Sequence, residues 1–173
     1  LMSRAARAVR SVLLEHWPGV QKIIILCGCG NNAGDGYALA TILHQQGLEV
    51  SVIALESDDK MSGLASKTAQ AAQSAGVLVR SYQSDDVIPT CDLLVDAILG
   101  LGQSRPLCER YADLVNAANA HSAPILSIDI PSGINADSGR VWGCAIVADL
   151  TVTLLLPKAG LFTSEGLVHA GKV

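Results

Sequence analysis

The residues most able to do chemistry in this chain occur in three short loops. The first, CGCGNNAGDG (residues 27–36), places two asparagines and an aspartate inside a glycine-rich stretch. The second begins at Asp96 and runs through a glycine-rich turn to Arg105, and the third, SIDIPSG, contains Asp129 and Ser132. Amide, carboxylate and hydroxyl groups gathered in this way are able to hold a polar ligand or a cation and to move protons.

The first loop matches the G-x-G-x-x-G/A pattern of dinucleotide-binding sites. It follows the apolar run IIIL and opens a segment of helical character, which is the context that the pattern requires. In that role, backbone N–H groups hold a pyrophosphate, and Glu56 is placed to bind a ribose. Asp35 argues against a simple phosphate site, because its carboxylate would repel a phosphate at the helix start. The alternative is that Asn31, Asn32 and Asp35 only cap the helix.

The other two loops also have a functional and a structural interpretation. The glycines and Arg105 of the second loop suit a phosphate or a ribose, and Asp129 suits proton transfer because it follows an apolar strand. In the structural interpretation, Asp96 and Asp129 accept hydrogen bonds from nearby loops and Ser132 caps a turn. Lys158 is expected to be solvated and is left out of the catalytic set.

Alternating strands and helices are needed to position these loops. Hydrophobic patterning predicts helices at 1–17, 34–46, 60–75 and 106–120, and strands at 22–28, 48–55, 77–82, 92–99, 124–130 and 148–156. The run KIIILCG is apolar without alternation, which indicates a strand buried on both faces. Such βα units build a doubly wound parallel sheet that binds ligands beyond the carboxyl ends of its strands. The three loops are therefore expected at one edge of the sheet.

Length and composition favour a single domain and exclude several classes of function. The chain has 173 residues, of which 50% are hydrophobic, and a net charge of −4 without a Lys/Arg run. Nucleic acid is therefore not an expected partner, and no apolar stretch reaches the roughly 18 residues that predict a membrane span. Five cysteines without a CxxC pair indicate reduced thiols and a cytoplasmic location. We expect residues 1–173 to form one domain that is incomplete at both ends.

Four sequence blocks together resemble the NAD(P)HX epimerase family, also described as the YjeF N-terminal domain. They are CGCGNNAGDG, VDAILGLG, SIDIPSGINADSG and ADLTVTLLLPKAGL. The resemblance implies a Rossmann-like three-layer αβα sandwich of the α/β class with a mostly parallel central sheet. It implies an isomerase for nicotinamide nucleotide repair, which interconverts the R and S forms of NADHX and NADPHX, the hydrated cofactors, at C6. It also implies a homodimer and a fused or separate dehydratase.

The same resemblance implies which residues form the site. The substrate-binding positions that it implies are Asn31, Asn32, Ala33, Gly34, Asp35, Gly100, Leu101, Gly102, Gln103, Ser104, Arg105, Pro106 and Asp129. It implies a bound potassium ion with Asn32, Asp96 and Ser132 as ligands, and Asp129 is the expected acid/base. Ala33 departs from the glycine that is usual in the family, and a positive φ there would cost on the order of 1 kcal/mol.

Two other functions are compatible with parts of the sequence. One is a non-catalytic ligand-binding or scaffold domain of the same fold, for which loss of the acid at Asp129 would be expected. The other is an NAD(P) oxidoreductase built on the glycine loop, which needs a hydride-acceptor site and usually a second substrate-binding region. The presence of Asp129 and the short chain argue against these two alternatives respectively.

Overall fold

The structure is a computed structural model that describes residues 2–56, 60–84, 86–103 and 106–173. Ser104 and Arg105, two of the expected substrate-binding residues, lie outside the described residues. The strands are β1 Lys22–Cys27, β2 Glu49–Ala54, β3 Leu78–Ser81, β4 Leu93–Ala97, β5 Ile125–Ile128 and β6 Leu150–Val152. The helices are α1 Met2–His16, α2 Asn31–Gln45, α3 Gly63–Ser74, α4 Glu109–Asn119 and α5 Gly166–His169, with a 3-10 helix at Ala159–Phe162. Strands and helices alternate from α1 to β3 and again from β4 to β5, whereas no helix lies between β3 and β4 or between β5 and β6, so the predicted alternation holds for only part of the described chain.

The strands form one sheet in the order β3-β2-β1-β4-β5-β6. Every strand pair in it is parallel, which confirms the predicted α/β class. The chain moves outward from β1 to β3 and then returns to the other side of β1 with β4. The order therefore reverses between β1 and β4, and open α/β sheets bind ligands at such a point.

The helices cover both faces of the sheet, and β1 shows why. Ile23 and Ile25 belong to a hydrophobic cluster that includes buried residues of α1, α2 and α3. Ile24 and Leu26 point to the opposite face and join the cluster that includes α4. Because successive side chains of a strand face opposite sides, a continuous apolar run needs a cover on both. Within the described residues, no helix has the length and apolar character to cross a bilayer.

Several element boundaries differ from the sequence prediction, and three of the differences affect the site or the segment after β6. Helix α2 begins at Asn31, three residues before the predicted start, with Gly30 as its extended N-cap. Helix α4 begins at Glu109, after the predicted 106. Strand β6 ends at Val152, and the following Leu155 is 84% exposed with a φ of 64°. The apolar run after β6 therefore leaves the sheet, although its hydrophobicity predicted a longer strand.

Candidate active site

The three loops meet around a cavity of about 960 Å³ at the carboxyl edge of the sheet. The cavity is lined by Gly30, Asn31, Asn32, Asp35, Glu56, Ile98, Leu99, Gly100, Leu101, Gly102, Gln103, Pro106, Leu107, Cys108, Tyr111 and Asp129. Parallel strands end on the same side of a sheet, so loops that are far apart in sequence converge there. The predicted convergence of the three loops is thus present in the structure.

The two asparagines of the first loop lie inside the first turn of α2. The N-cap is Gly30, and no side-chain hydrogen bond caps the helix. Asn31 is exposed, whereas Asn32 is buried. The first N–H groups of a helix have no acceptor within that helix, so this end of α2 presents donors to an anion. The alternative in which the asparagines serve only as caps is therefore not supported.

Ala33 and Gly34 face the protein interior and do not line the cavity. Ala33 is fully buried in the core beside β1, within a helical turn and without a positive φ. Its extra methyl group therefore adds no backbone strain. A Cβ atom on Gly34 would lie 2.7 Å from the Cε of Met2 and 3.2 Å from the Cα of Ala65. Gly34 thus allows α1 and α3 to pack closely against α2.

Asp96, the first residue of the predicted second loop, lies within β4, is completely buried and accepts four hydrogen bonds. Its Oδ1 accepts from the hydroxyl of Ser132 at 2.6 Å and from the Ile98 N–H at 3.2 Å. Its Oδ2 accepts from the hydroxyl of Ser127 and the Ser132 N–H, both at 2.8 Å. Burial raises the pKa of Asp96, and these hydrogen bonds oppose that increase. Asp96 therefore ties the end of β4 to β5 and to the third loop.

The second loop is bonded to both of its neighbours. The Asn32 side-chain amide donates to the carbonyl of Leu99 at 2.7 Å, and the Leu99 N–H donates to the hydroxyl of Ser132 at 2.9 Å. Further along, Gln103 accepts a hydrogen bond from the Gly133 N–H at 2.9 Å. These contacts hold the three loops in one arrangement. The sequence predicted Asn32, Gln103 and Ser132 as site residues, but it indicated neither Leu99 and Gly133 nor the hydrogen bonds that connect the group.

The side chain of Asn32 has one buried oxygen that fits a cation ligand. Its Oδ1 has no hydrogen-bond partner among the described residues, whereas its amide nitrogen is engaged with Leu99. A buried polar atom without a partner is costly and calls for an unseen ion or water. Neutral amide, carbonyl and hydroxyl oxygens with one carboxylate suit a hard monovalent cation. The residues present therefore fit the potassium ion that the resemblance implies.

Asp129 has an unusual backbone conformation at the end of β5. Its φ is 71°, and the Ile130 N–H donates to the carbonyl of Ile128 at 2.9 Å across it. This is a γ-turn with a positive central φ, a strained form that is rare in proteins. The turn directs the carboxylate into the cavity, where the Leu154 N–H donates to its Oδ1 at 3.0 Å.

Lys158 corrects the sequence prediction, which placed it in solvent. Its ammonium group donates to Oδ1 of Asp129, and the side chains of Lys158 and Asp129 are only 12% and 13% exposed. It also donates to the carbonyl of Leu154 at 2.6 Å and to the hydroxyl of Thr153 at 3.2 Å. Because β6 ends at Val152, the chain leaves the sheet there and brings Lys158 next to Asp129. In the sequence, the only indication of a site role for Lys158 was its position in the PKAG segment, which follows a predicted strand.

Asp35 is another carboxylate that lines the cavity. Burial raises the pKa of Asp35 to about 6, and the negative charge of Asp129 adds to the increase. A carboxyl group with that pKa is still mostly ionised at neutral pH and becomes protonated as the pH falls through about 6. The repulsion between Asp35 and a phosphate therefore persists at neutral pH and weakens in mildly acidic solution.

Glu56, Cys108 and Tyr111 form the opposite end of the cavity, of which the sequence suggested only Glu56. The hydroxyl of Tyr111 lies 4.0 Å from the thiol of Cys29. Burial, together with the nearby Cys29 and Glu56, raises the pKa of Tyr111 above its usual range, so the phenol stays neutral. Tyr111 lies on α4, and its helical spacing resembles that of any core aromatic. No local signal in the sequence marked it as a site residue.

Comparison with known proteins adds evidence that is independent of this geometry. The family model described as "YjeF-related protein N-terminus" matches residues 1–160. An NAD(P)H-hydrate epimerase of Limosilactobacillus fermentum is 40% identical over 100% of this chain and 82% of its own length. The bifunctional NAD(P)H-hydrate repair enzyme Nnr of Escherichia coli K12 is 39% identical, and this chain covers 33% of it.

A solved structure shows the same fold. The crystal structure of the yeast protein ynu0 superposes with a TM-score of 0.82 at 24% identity, over 95% of this chain and 74% of the yeast chain. The family match covers all three loops and extends to the PKAG segment that carries Lys158. Taken with the sheet order and the converging loops, this match shows that the chain belongs to the family of YjeF-related N-terminal domains.

Proposed function

We propose that this protein is an NAD(P)HX epimerase that interconverts the R and S forms of hydrated NADH or NADPH at C6. The observation that carries the proposal is the arrangement of Asp129. Its Oδ1 is held by the Leu154 N–H and by Lys158, whereas its Oδ2 has no hydrogen-bond partner among the described residues. Because Asp129 also lines the cavity, Oδ2 is free to exchange a proton with a ligand. The relatives named NAD(P)H-hydrate epimerase support the same reaction.

The chemistry at C6 needs one group that gives and then takes a proton. The hydroxyl on C6 lies beside a ring nitrogen, whose electron pair helps to expel it as Asp129 supplies a proton, so that water leaves. Water then adds to the opposite face of the cationic carbon and returns a proton to Asp129. Each C–O bond that breaks is replaced by one that forms, and no oxidant or reductant is needed. Ring opening and closure would use the same acid/base.

Lys158 acts in this scheme through Asp129 and not on the substrate. Its ammonium group fixes one carboxylate oxygen and leaves the other to the substrate. An ordered carboxylate reacts without first having to find the productive orientation, which lowers the barrier. The strained turn at Asp129 has the same effect, because the surrounding bonds hold a conformation that a free chain would leave.

The rest of the cavity provides the binding groups for a dinucleotide. We propose that the pyrophosphate lies at the start of α2, near Gly30, Asn31 and Asp35, where the N–H groups of the first turn are open. The segment Gly100, Leu101, Gly102, Gln103 and Pro106 forms the wall above it. Ala33 and Gly34 would contribute only backbone atoms, because their side-chain positions face the core.

We propose that a potassium ion binds between the loops through Asn32, Ser132 and Asp96. When bound, it would supply a positive charge that balances Asp96 and fixes the three loops in register. The unpartnered Oδ1 of Asn32 supports this assignment. The hydroxyl of Ser132 is already oriented by Asp96, which is the residue that brings negative charge to the site.

The decisive experiment starts from purified R-NADHX. We expect the protein in potassium buffer to equilibrate R- and S-NADHX, as followed by chiral chromatography. The Asp129→Asn variant should fold and lose at least about 100-fold in rate, because the amide cannot transfer the proton. Asparagine tolerates a positive φ, so the turn is preserved. Equal rates for the two proteins would refute Asp129 as the acid/base. No acceleration over buffer by folded wild-type protein would refute the epimerase and favour a ligand-binding scaffold.

Association with a dehydratase fits the relatives whose names describe bifunctional NAD(P)H-hydrate repair enzymes. We propose that a dehydratase, fused or separate, consumes the S form that this domain produces. The homodimer and the cytoplasmic location that the sequence suggests stay predictions.

A further inference from the structure

We propose that Glu56 binds the ribose diol of the adenosine half of the substrate and thereby makes the protein prefer NADHX to NADPHX. This inference rests on the proposed function. It extends the site to the end of the cavity opposite Asp129. It also fixes the direction in which the dinucleotide lies across the sheet.

Strand order is the first argument for this direction. Asp129 follows β5, and Glu56 follows β2, two residues after its last residue Ala54. Between these strands lie β1 and β4, the pair at which the sheet order reverses. With neighbouring strands about 4.8 Å apart, the ends of β2 and β5 are separated by roughly 14 Å. Both residues nevertheless line one cavity, which a dinucleotide lying across the sheet can fill.

The position of the proton-transfer group then determines which end of the substrate lies where. The hydrated nicotinamide ring must approach Asp129, so it lies over β4 and β5. The pyrophosphate meets the start of α2, which follows β1. The adenosine half therefore extends toward β2 and reaches Glu56. In sheets of this strand order, an acidic residue at that position hydrogen-bonds the ribose 2′-hydroxyl.

The surroundings of Glu56 suit a hydroxyl-binding carboxylate. Its side chain is only 16% exposed, and Lys60 forms an ion pair with its Oε2 at 2.8 Å. Lys60 is itself 60% exposed, so it approaches the carboxylate from the solvent side. The neutral phenol of Tyr111 lines the same end of the cavity. A carboxylate that is oriented by one cation retains acceptor sites for the two hydroxyls of a ribose.

The charge of the cavity argues against a 2′-phosphate at this position. Among the described lining residues, Asp35, Glu56 and Asp129 are acidic and none is a lysine or an arginine. A 2′-phosphate would bring about two negative charges to the carboxylate of Glu56. A hydroxyl at the same place would donate a hydrogen bond to it. The difference between repulsion and a charge-assisted hydrogen bond favours the substrate without the phosphate.

The test compares both substrates with two matched variants. Glu56→Gln keeps the shape of the side chain and removes its charge. Glu49→Gln is the control, because Glu49 begins the same strand at the far edge of the sheet and is 72% exposed beside Lys22. We measure kcat/KM for NADHX and NADPHX. In parallel, calorimetry measures binding of ADP-ribose and 2′-phospho-ADP-ribose, which need no epimerase activity.

We expect wild type and Glu49→Gln to prefer NADHX and ADP-ribose by roughly tenfold or more, and Glu56→Gln to lose that preference. An unchanged preference in Glu56→Gln would overturn the inference. A wild-type preference for the phosphorylated ligands would also overturn it and would indicate that Lys60 captures the phosphate. If ADP-ribose binds with the expected preference but no epimerisation occurs, the proposed function fails and the ribose site stands. If neither ADP-ribose binding nor epimerisation is observed, the ribose site and the proposed epimerase function are both refuted.

Discussion

At the level of single residues, the site depends on how each carboxylate is partnered. Asp96 accepts four hydrogen bonds, Asp129 keeps one oxygen free, and Asp35 has the charge of Asp129 as a neighbour. The same residue type therefore occurs in three different environments at one edge of the sheet. In the proposed function, Asp96 would organise the loops, Asp129 would exchange protons and Asp35 would adjust the charge near the bound phosphates.

Lys158 provides a direct test of how Asp129 is held. We expect Lys158→Met to lower kcat by roughly 100-fold while KM changes little, because the carboxylate loses its fixed orientation but the ligand contacts remain. Lys158→Arg should recover part of the rate, since it restores the charge in a larger, planar group. Steady-state kinetics with R-NADHX measure both quantities. A wild-type kcat in Lys158→Met would contradict the positioning role.

Asp35 predicts a pH dependence of stability. Its pKa is raised to about 6 in the folded protein, above the ordinary value of 3.8, so the folded state binds more protons between these two values. The contribution of Asp35 to stability is therefore present at low pH and is lost as the pH rises from about 4 to 6. We expect Asp35→Asn to gain stability relative to wild type across that interval, as measured by urea unfolding. The prediction would be contradicted if the difference in unfolding free energy between Asp35→Asn and wild type stayed constant from pH 4 to 7.

At the level of elements, α2 approaches the sheet closely at Gly36, which has no side chain to hold the helix away. A Cβ atom on Gly36 would lie 2.6 Å from the Cβ of Ala97, 3.0 Å from the Sγ of Cys27 and 3.3 Å from the Cγ2 of Ile25. These atoms belong to β1 and β4, the strands that frame the site. The glycine therefore sets the height of the helix above the sheet, and with it the position of Asn32.

We expect Gly36→Ala to destabilise the fold by about 1–3 kcal/mol, because the added methyl group must push α2 away from the strands. Alanine's better helix propensity offsets less than this amount. The matched control is Gly19→Ala, since a Cβ atom on Gly19 would meet nothing within 4 Å. Chemical denaturation of both variants measures the difference. If the two substitutions had the same effect, close packing at Gly36 would not be the cause of the short distance between helix and sheet.

For the whole molecule, the carboxyl edge of the sheet is connected by one hydrogen-bond network, to which residues at the ends of three strands contribute. Asn32 follows β1, Asp96 ends β4 and Ser132 follows β5. Hydrogen bonds through Leu99 and Ser132 connect all of them. A cation bound at this point would therefore stabilise the complete fold and not a single loop.

We expect the melting temperature to rise by several degrees when choline chloride is replaced by potassium chloride at equal ionic strength. A ligand at a hundred times its Kd adds about 2.7 kcal/mol of stability, and 1 kcal/mol corresponds to about 2–4 °C for a domain of this size. Asn32→Ala should abolish the potassium-dependent part, whereas Asn31→Ala on the exposed side should retain it. A rise that is equal in wild type and Asn32→Ala would exclude Asn32 as a ligand.

The sequence by itself determined the class of fold and the location of the site. Apolar runs separated by helical segments specify a parallel sheet, and the carboxyl ends of parallel strands meet at one edge. The loops after β1, β4 and β5 could therefore be recognised by their residue types alone. Local patterns have a short range, however, and they placed the start of α2 three residues late.

Only the tertiary structure decided how the residues of the site are partnered. The ion pair of Lys158 with Asp129 and the hydrogen bonds from Ser127 and Ser132 to Asp96 join residues that are far apart along the chain. The same packing leaves the buried oxygen of Asn32 without a partner among the described residues. Tyr111 entered the cavity from a helix whose sequence resembles any core helix. Such contacts depend on where the strands and helices pack, and a periodic pattern in the sequence carries no information about distance in space. The chemistry of each residue was readable from the sequence, whereas its neighbours were set by the fold.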